Sequence, residues 1–158
     1  MKTEQTTHIN IQNNKKSGKH LIGMLQNLYC SCQSELSAFL LLNYQSQILK
    51  KQNKKLSLLL EEISKQSLDN SHTLAQLILK EKGLPFYFNS QYSPLNAFWL
   101  QFDIPKENIL NVDINFFKTL IENYTIYINK INKANIKKFL TSLKEINQKI
   151  LSTLQNFN

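Results

Sequence analysis

Residues 18–49 read GKHLIGMLQNLYCSCQSELSAFLLLNYQSQIL. Within them Leu21, Leu25, Leu28, Cys32, Glu35, Phe39, Leu42, Ser46 and Leu49 recur at alternating steps of four and three, the stripe of one long core-facing helix. This predicted helix A stops at the run Lys50, Lys51, Gln52, Asn53, Lys54, Lys55, where ammonium groups suit the negative end of a helix dipole and a short hairpin tip follows.

Working outward, a second stripe runs through Leu56, Leu60, Ile63, Ser67, Asn70, Leu74 and Leu77, and Gly83 with Pro85 supplies its stop. This is predicted helix B. The next stretch, from Leu84 to Phe102, loses helical period while carrying Phe86, Tyr87, Phe88, Tyr92, Phe98, Trp99 and Phe102. So many aromatic rings in one connection are expected to pack on the helices or on a second subunit. Pro105 suits the first turn of helix C, with the stripe Leu110, Ile114, Phe117, Ile121, Tyr124, Ile128 and Ile131. After a tip around Asn132 to Asn135, helix D continues through Leu140, Leu143, Asn147, Ile150, Leu154 and Phe157. Short A–B and C–D links with one long B–C link describe an all-α, ferritin-like four-helix bundle with a single crossover.

Composition agrees. The chain has 158 residues and 18.5 kDa, with 42% hydrophobic residues and only three Gly and three Pro, which fits one helical domain and excludes a turn-rich sandwich or barrel. Residues 1–17 are polar and are expected to form a flexible arm, with residues 18–158 as the bundle. The formal charge is +8, yet all 19 basic residues are Lys. Without the planar arginine fork, a nucleic-acid partner is not expected. No secretory h-region precedes the bundle and the longest apolar run, residues 38–42, is too short to span a bilayer, so a cytoplasmic protein without a membrane span is expected. Cys30 and Cys32, at i,i+2 on a helix, would point about 200° apart, which suits neither a disulfide nor a shared metal.

The informative residues interrupt the stripes. Glu35 lies on the seam of helix A, Ser67 and Asn70 on that of helix B, and Asn147 with Lys144 on or beside that of helix D, all near mid-helix. A buried layer of this kind at bundle mid-height is where dimetal carboxylate proteins place one Glu from each of two helices and a Glu-x-x-His pair from each of the other two.

Here the chain resembles a bacterial, clostridial-type ferritin-like family related to rubrerythrins and manganese catalases, over roughly Gly18 to Leu154. The matching stretches are Ser34-Glu35-Leu36-Ser37-Ala38, Leu77-Ile78-Leu79-Lys80 with Gly83 and Pro85, Asp113-Ile114 with Ile121, Asn123 and Tyr124, and Lys149-Ile150-Leu151. Carried over position by position, the resemblance leaves Glu35 as the one retained ligand. The helix B pair becomes Ser67 and Asn70, the helix C Glu becomes Phe117, and the helix D pair becomes Lys144 and Asn147. A lone carboxylate does not hold two metal ions, so no cofactor is expected. Asp69 and His72, at i,i+3, are the remaining candidates to join Glu35 as ligands of iron or manganese, although His72 lies about 200° from Asn70. Without metal, two arrangements are open at Glu35: the Lys144 ammonium faces it in place of the lost cation, or Lys144 bends to water.

No phosphate loop, zinc spacing or nucleophile elbow accompanies this layer. The leading expectation is a degenerate ferritin-like bundle without a functional dimetal centre, not an enzyme, acting as a structural or protein-interaction module with a homodimer or another protein as partner. The alternative is a metal-binding oxidoreductase or metal-storage protein using Glu35 with noncanonical ligands. A basic surface for nucleic acid or anionic lipid is the third.

Overall fold

Predicted helix A is broken. The computed structural model describes residues 18–96, 99, 100 and 102–157, and in it α1 covers residues 18–29 while α2 covers Glu35–Leu49. The arm expected over residues 1–17, and Phe98 of the crossover, lie outside the described residues. Serine chemistry makes the break. The Ser34 and Ser37 hydroxyls both donate to the Ser31 carbonyl, at 2.9 and 2.5 Å, and Ser34 Oγ accepts the Ser37 N–H at 3.3 Å as the N-cap of α2. An apolar period passes through such a turn unaltered, because it counts residues and not hydrogen bonds. Cys32, expected on the core seam, is consequently exposed, whereas Cys30 is buried, and both are free thiols.

Helix α3 spans Lys54–Lys80, opened by Asn53, whose side chain accepts the Leu56 N–H at 3.0 Å. It closes with a paired C-terminal motif: the Lys82 N–H donates to Leu79 O and the Gly83 N–H to Ile78 O, both at 2.9 Å. The left-handed position falls on Lys82, at φ 64°, and not on Gly83. Glycine is needed at 83 for another reason, since a Cβ there would meet Ile22 and Ile78 at 2.9 Å.

Helix α4 spans Ile109–Lys130 after a 3-10 turn at Lys106–Asn108, and α5 spans Ala134–Gln155. Helices α2 with α3, and α4 with α5, pack as hairpins. The Lys55 ammonium lies 5.2 Å above the Phe157 ring, and Glu81 pairs with Lys133. The start of α3 therefore meets the end of α5 and the reverse, which places the two hairpin tips at opposite ends of the bundle. On α4 the buried face is Ile109, Asp113, Phe117, Leu120 and Tyr124. Of the predicted stripe, Phe117, Tyr124 and Ile131 are buried, whereas Leu110, Ile114, Ile121 and Ile128 are half-buried. The inner face is rotated toward a carboxylate that a hydrophobic count passes over, while the isoleucines fill the flanks.

The crossover splits the aromatic residues. Trp99 packs against the core and the Phe102 ring meets Tyr44 of α2 edge-on at 4.8 Å. Phe86, Tyr87, Phe88 and Tyr92, expected on the helices or on a second subunit, are exposed on the single chain. Polar side chains of α1 hold the backbone of this segment: Gln26 Nε2 donates to the carbonyls of Phe86 and Phe88, both at 2.6 Å, and Asn27 Oδ1 accepts the Ser90 N–H at 2.8 Å. The main chain is thus bound to the bundle while the rings of Phe86, Phe88 and Tyr92 stay exposed and that of Tyr87 stacks on Tyr29 of α1 at 6.4 Å. Phe88 and Pro94 form an isolated antiparallel bridge, with Tyr92 in the left-handed region at φ 60° at the turn.

Candidate functional site

The serine turn fixes Glu35 as the first residue of α2, where the positive end of the helix dipole favours a carboxylate. Glu35 is fully buried. Its Oε1 accepts from the Tyr124 hydroxyl at 2.7 Å and from Asn147 Nδ2 at 2.6 Å, and its Oε2 accepts from Asn70 Nδ2 at 3.3 Å. Each of α2, α3, α4 and α5 contributes one side chain, so this layer ties the whole bundle together. A further shell holds the amides, with Gln66 Nε2 donating to Asn70 Oδ1 at 3.1 Å and Asn147 Nδ2 also reaching Leu143 O at 3.1 Å. Burial pushes the Glu35 carboxyl up to about 7, against the pull of its donors Asn147, Tyr124 and Asn70. Burial, followed by the adjacent Glu35 charge, holds the Tyr124 hydroxyl well above its ordinary range.

The sequence-predicted residues divide accordingly. Glu35, Asn70 and Asn147 are brought into one hydrogen-bonded layer. Ser67 and Phe117 are wholly buried, and Ser67 Oγ and Asn147 Oδ1 complete no hydrogen bond. Lys144 does not supply the counter-charge: it is half-buried, and the ion pairs among the described residues are Lys65 with Glu61 and Lys133 with Glu81. Neutral donors stand where an ammonium was envisaged, because the phenol of Tyr124 reaches the carboxylate from α4 without desolvating a second charge. Asp69 and His72 do not join Glu35 either. Both are exposed on the outer side of α3, while Glu35 lies in the core.

Tyr124 was read as an apolar stripe residue. Its phenol is the one polar group on that stripe, and its position on an inner face was the available signal for a partner. Asp113 on α4 and Gln45 on α2 were passed over as site residues altogether. Both are buried, and neither the carboxylate oxygens of Asp113 nor the amide atoms of Gln45 complete a hydrogen bond. Desolvation pushes the Asp113 carboxyl up to about 7, outweighing the pull of the Gln45 carboxamide beside it. Ten residues separate Glu35 from Gln45 on α2, roughly 15 Å of helix rise. This second polar spot therefore lies nearer the α2–α3 tip.

Chemically the main layer offers one carboxylate, one phenol, two amides and one hydroxyl. Among the described residues no three His, Cys, Asp or Glu side chains converge. The layer holds a proton or a negative charge in the core and distributes it over four helices.

No protein-family model matches the chain, and no curated protein does. Solved structures do. Wild-type KatB, a manganese catalase from Anabaena, matches with a TM-score of 0.77 and 17% identity, over 87% of this chain and 70% of that one. A second KatB structure, from Anabaena PCC7120, matches with a TM-score of 0.78 and 16% identity over the same shares. At such identity the likeness establishes the architecture, and the chain has the all-α, ferritin-like four-helix-bundle fold of these manganese catalases.

Proposed function

We propose that this chain is a ferritin-like bundle in which a hydrogen-bonded polar layer stands in the place of a dimetal centre, and that it serves as a structural or protein-interaction module, not as an oxidoreductase. One observation carries the reading: both oxygens of Glu35 are engaged by the neutral donors Tyr124, Asn147 and Asn70. Two adjacent cations need several carboxylates and imidazoles in one layer. The residues present do not fit that group. The Phe117 ring occupies the core position to which the resemblance assigns the helix C ligand, and two amides and a hydroxyl provide weak neutral oxygen donors at most. The nearest acid–imidazole pair in sequence, Asp69 and His72, faces outward.

The likeness to manganese catalases makes manganese and iron the metals to measure. Protein purified without chelator is expected to contain iron, manganese and zinc each well below one per chain, and its melting temperature should not respond to added metal, since only a ligand of the native state raises stability. Near-stoichiometric metal, with an anomalous signal at mid-bundle in a crystal, would return the chain to the metal-binding class.

A further inference from the structure

At one end of the molecule the start of α1, the end of α3 and the α4–α5 link come together. Gly83 lies against Ile22, Glu81 pairs with Lys133, and a cleft is shared by Met24 and Lys130. Lys19, Lys80, Lys82, Lys130 and Lys133 are all exposed there, and the acid beside them, Glu81, is already engaged by Lys133. Next to this basic end Leu84, Phe86, Phe88 and Tyr92 line a single groove of about 270 Å3 together with Ile22 and Lys19. Those four side chains are 60, 52, 40 and 84% exposed. Side chains of this size leave on the order of 500 Å2 of apolar surface in water, enough to mark a contact site on a single chain.

The charge chooses the occupant. A symmetric pair of copies joined through this face would bring two lysine clusters together on chains that each carry +8. An anionic counterpart removes that repulsion. The chemistry is also that of the headgroup region of a bilayer, in which aromatic and aliphatic side chains enter the boundary and lysines meet anionic headgroups. Tyr92, at the turn of the crossover hairpin, is the most exposed of the four. No helix among the described residues is long and apolar enough to cross a membrane, so the contact is peripheral. We propose that this end of the bundle docks on an anionic lipid surface, with Leu84, Phe86, Phe88 and Tyr92 entering the headgroup boundary and Lys19, which lines the groove, and the neighbouring Lys82 binding the lipid charge. The proposal goes beyond the protein-interaction reading above, and it can fail while the metal measurement succeeds, because the two readouts are separate.

Cosedimentation of the full chain with vesicles provides the test. Binding is expected to mixed phosphatidylcholine–phosphatidylglycerol vesicles at low salt, with release at high salt and about tenfold weaker binding to phosphatidylcholine alone. The double variant Phe86→Ser, Tyr92→Ser should weaken binding about tenfold or more through lost apolar insertion. Lys19→Gln with Lys82→Asn, a variant that leaves the rings untouched, should do so by a similar factor at about 1 kcal/mol per lysine. Lys50→Gln, Lys51→Gln and Lys54→Gln together, at the opposite end, should change binding less than twofold. Absence of vesicle binding would overturn the proposal, as would equal affinity for neutral vesicles or an equal loss in the opposite-end variant. A single-stranded oligonucleotide bound more tightly than the vesicles, through the same residues, would assign the surface to nucleic acid. A dimer abolished by the Phe86→Ser, Tyr92→Ser pair would assign it to a second copy. Either result would also overturn the proposal.

Discussion

Glu35 and Asp113 are two buried carboxyls in opposite circumstances. Glu35 has three donors, whereas Asp113 completes no hydrogen bond. Removing a donor and removing a charge should therefore have opposite signs. Tyr124→Phe is expected to cost on the order of 1.5–3 kcal/mol at pH 8, where Glu35 is ionised, because a hydrogen bond to a charged group is lost. At pH 5 a proton on Glu35 lowers the demand for donors, so the loss should shrink. Denaturant melts at the two pH values check this, and equal losses would mean that the phenol acts through packing alone. Asp113→Asn should stabilise at pH 8 by on the order of 1–3 kcal/mol, since it removes a buried charge and keeps the shape, and should stabilise less at pH 5, where the native carboxyl holds its proton. A destabilised Asp113→Asn protein at pH 8 would contradict the raised carboxyl.

Two short elements set the geometry that these residues need. The serine turn both ends α1 and places Glu35 at the first position of α2, so Ser34→Ala should cost about 1 kcal/mol as a lost N-cap. The same change should loosen the polar layer, seen as faster amide exchange at Asn70 and Asn147. The close of α3 depends on the approach of α1: Gly83→Ala should cost about 1–3 kcal/mol, because the added methyl meets Ile22 and Ile78 at 2.9 Å and one of them must move. Chemical denaturation of each variant measures these losses, and an unchanged midpoint for Gly83→Ala would show that α1 shifts freely. Both devices were half legible in the sequence. Ser34 stands just before Glu35 and Gly83 just after α3, but the serine turn hid inside an unbroken apolar period, and Gly83 serves contact with α1 instead of a left-handed turn.

Across the whole molecule the two carboxyls act together on stability. Each ordinarily titrates near 4, at 4.5 for Glu35 and 3.8 for Asp113, and each is raised to about 7 in the native state. Between those values the native chain holds protons that the unfolded chain has released, so stability falls as pH rises through the window from about 4.5 to 7. The melting temperature is expected to be higher at pH 5 than at pH 8, and Asp113→Asn should flatten the slope; a melting temperature that rises from pH 5 to pH 8 would refute this account. The sequence by itself determined the all-α class, the short and long links and hence the single-crossover bundle, together with the burial of Glu35, Asn70 and Asn147 in one layer, but not the break of helix A into α1 and α2. Those properties follow from periodicity, which is local to each helix. Tertiary structure alone decided that Tyr124 and not Lys144 faces Glu35, that Asp113 turns inward, and that the rings of Phe86, Phe88 and Tyr92 stay exposed. These outcomes depend on the rotation of each helix about its own axis and on which backbone groups a neighbour binds. A repeat of 3.6 residues specifies an inner face only to within about one residue, and one residue is a turn of about 100°.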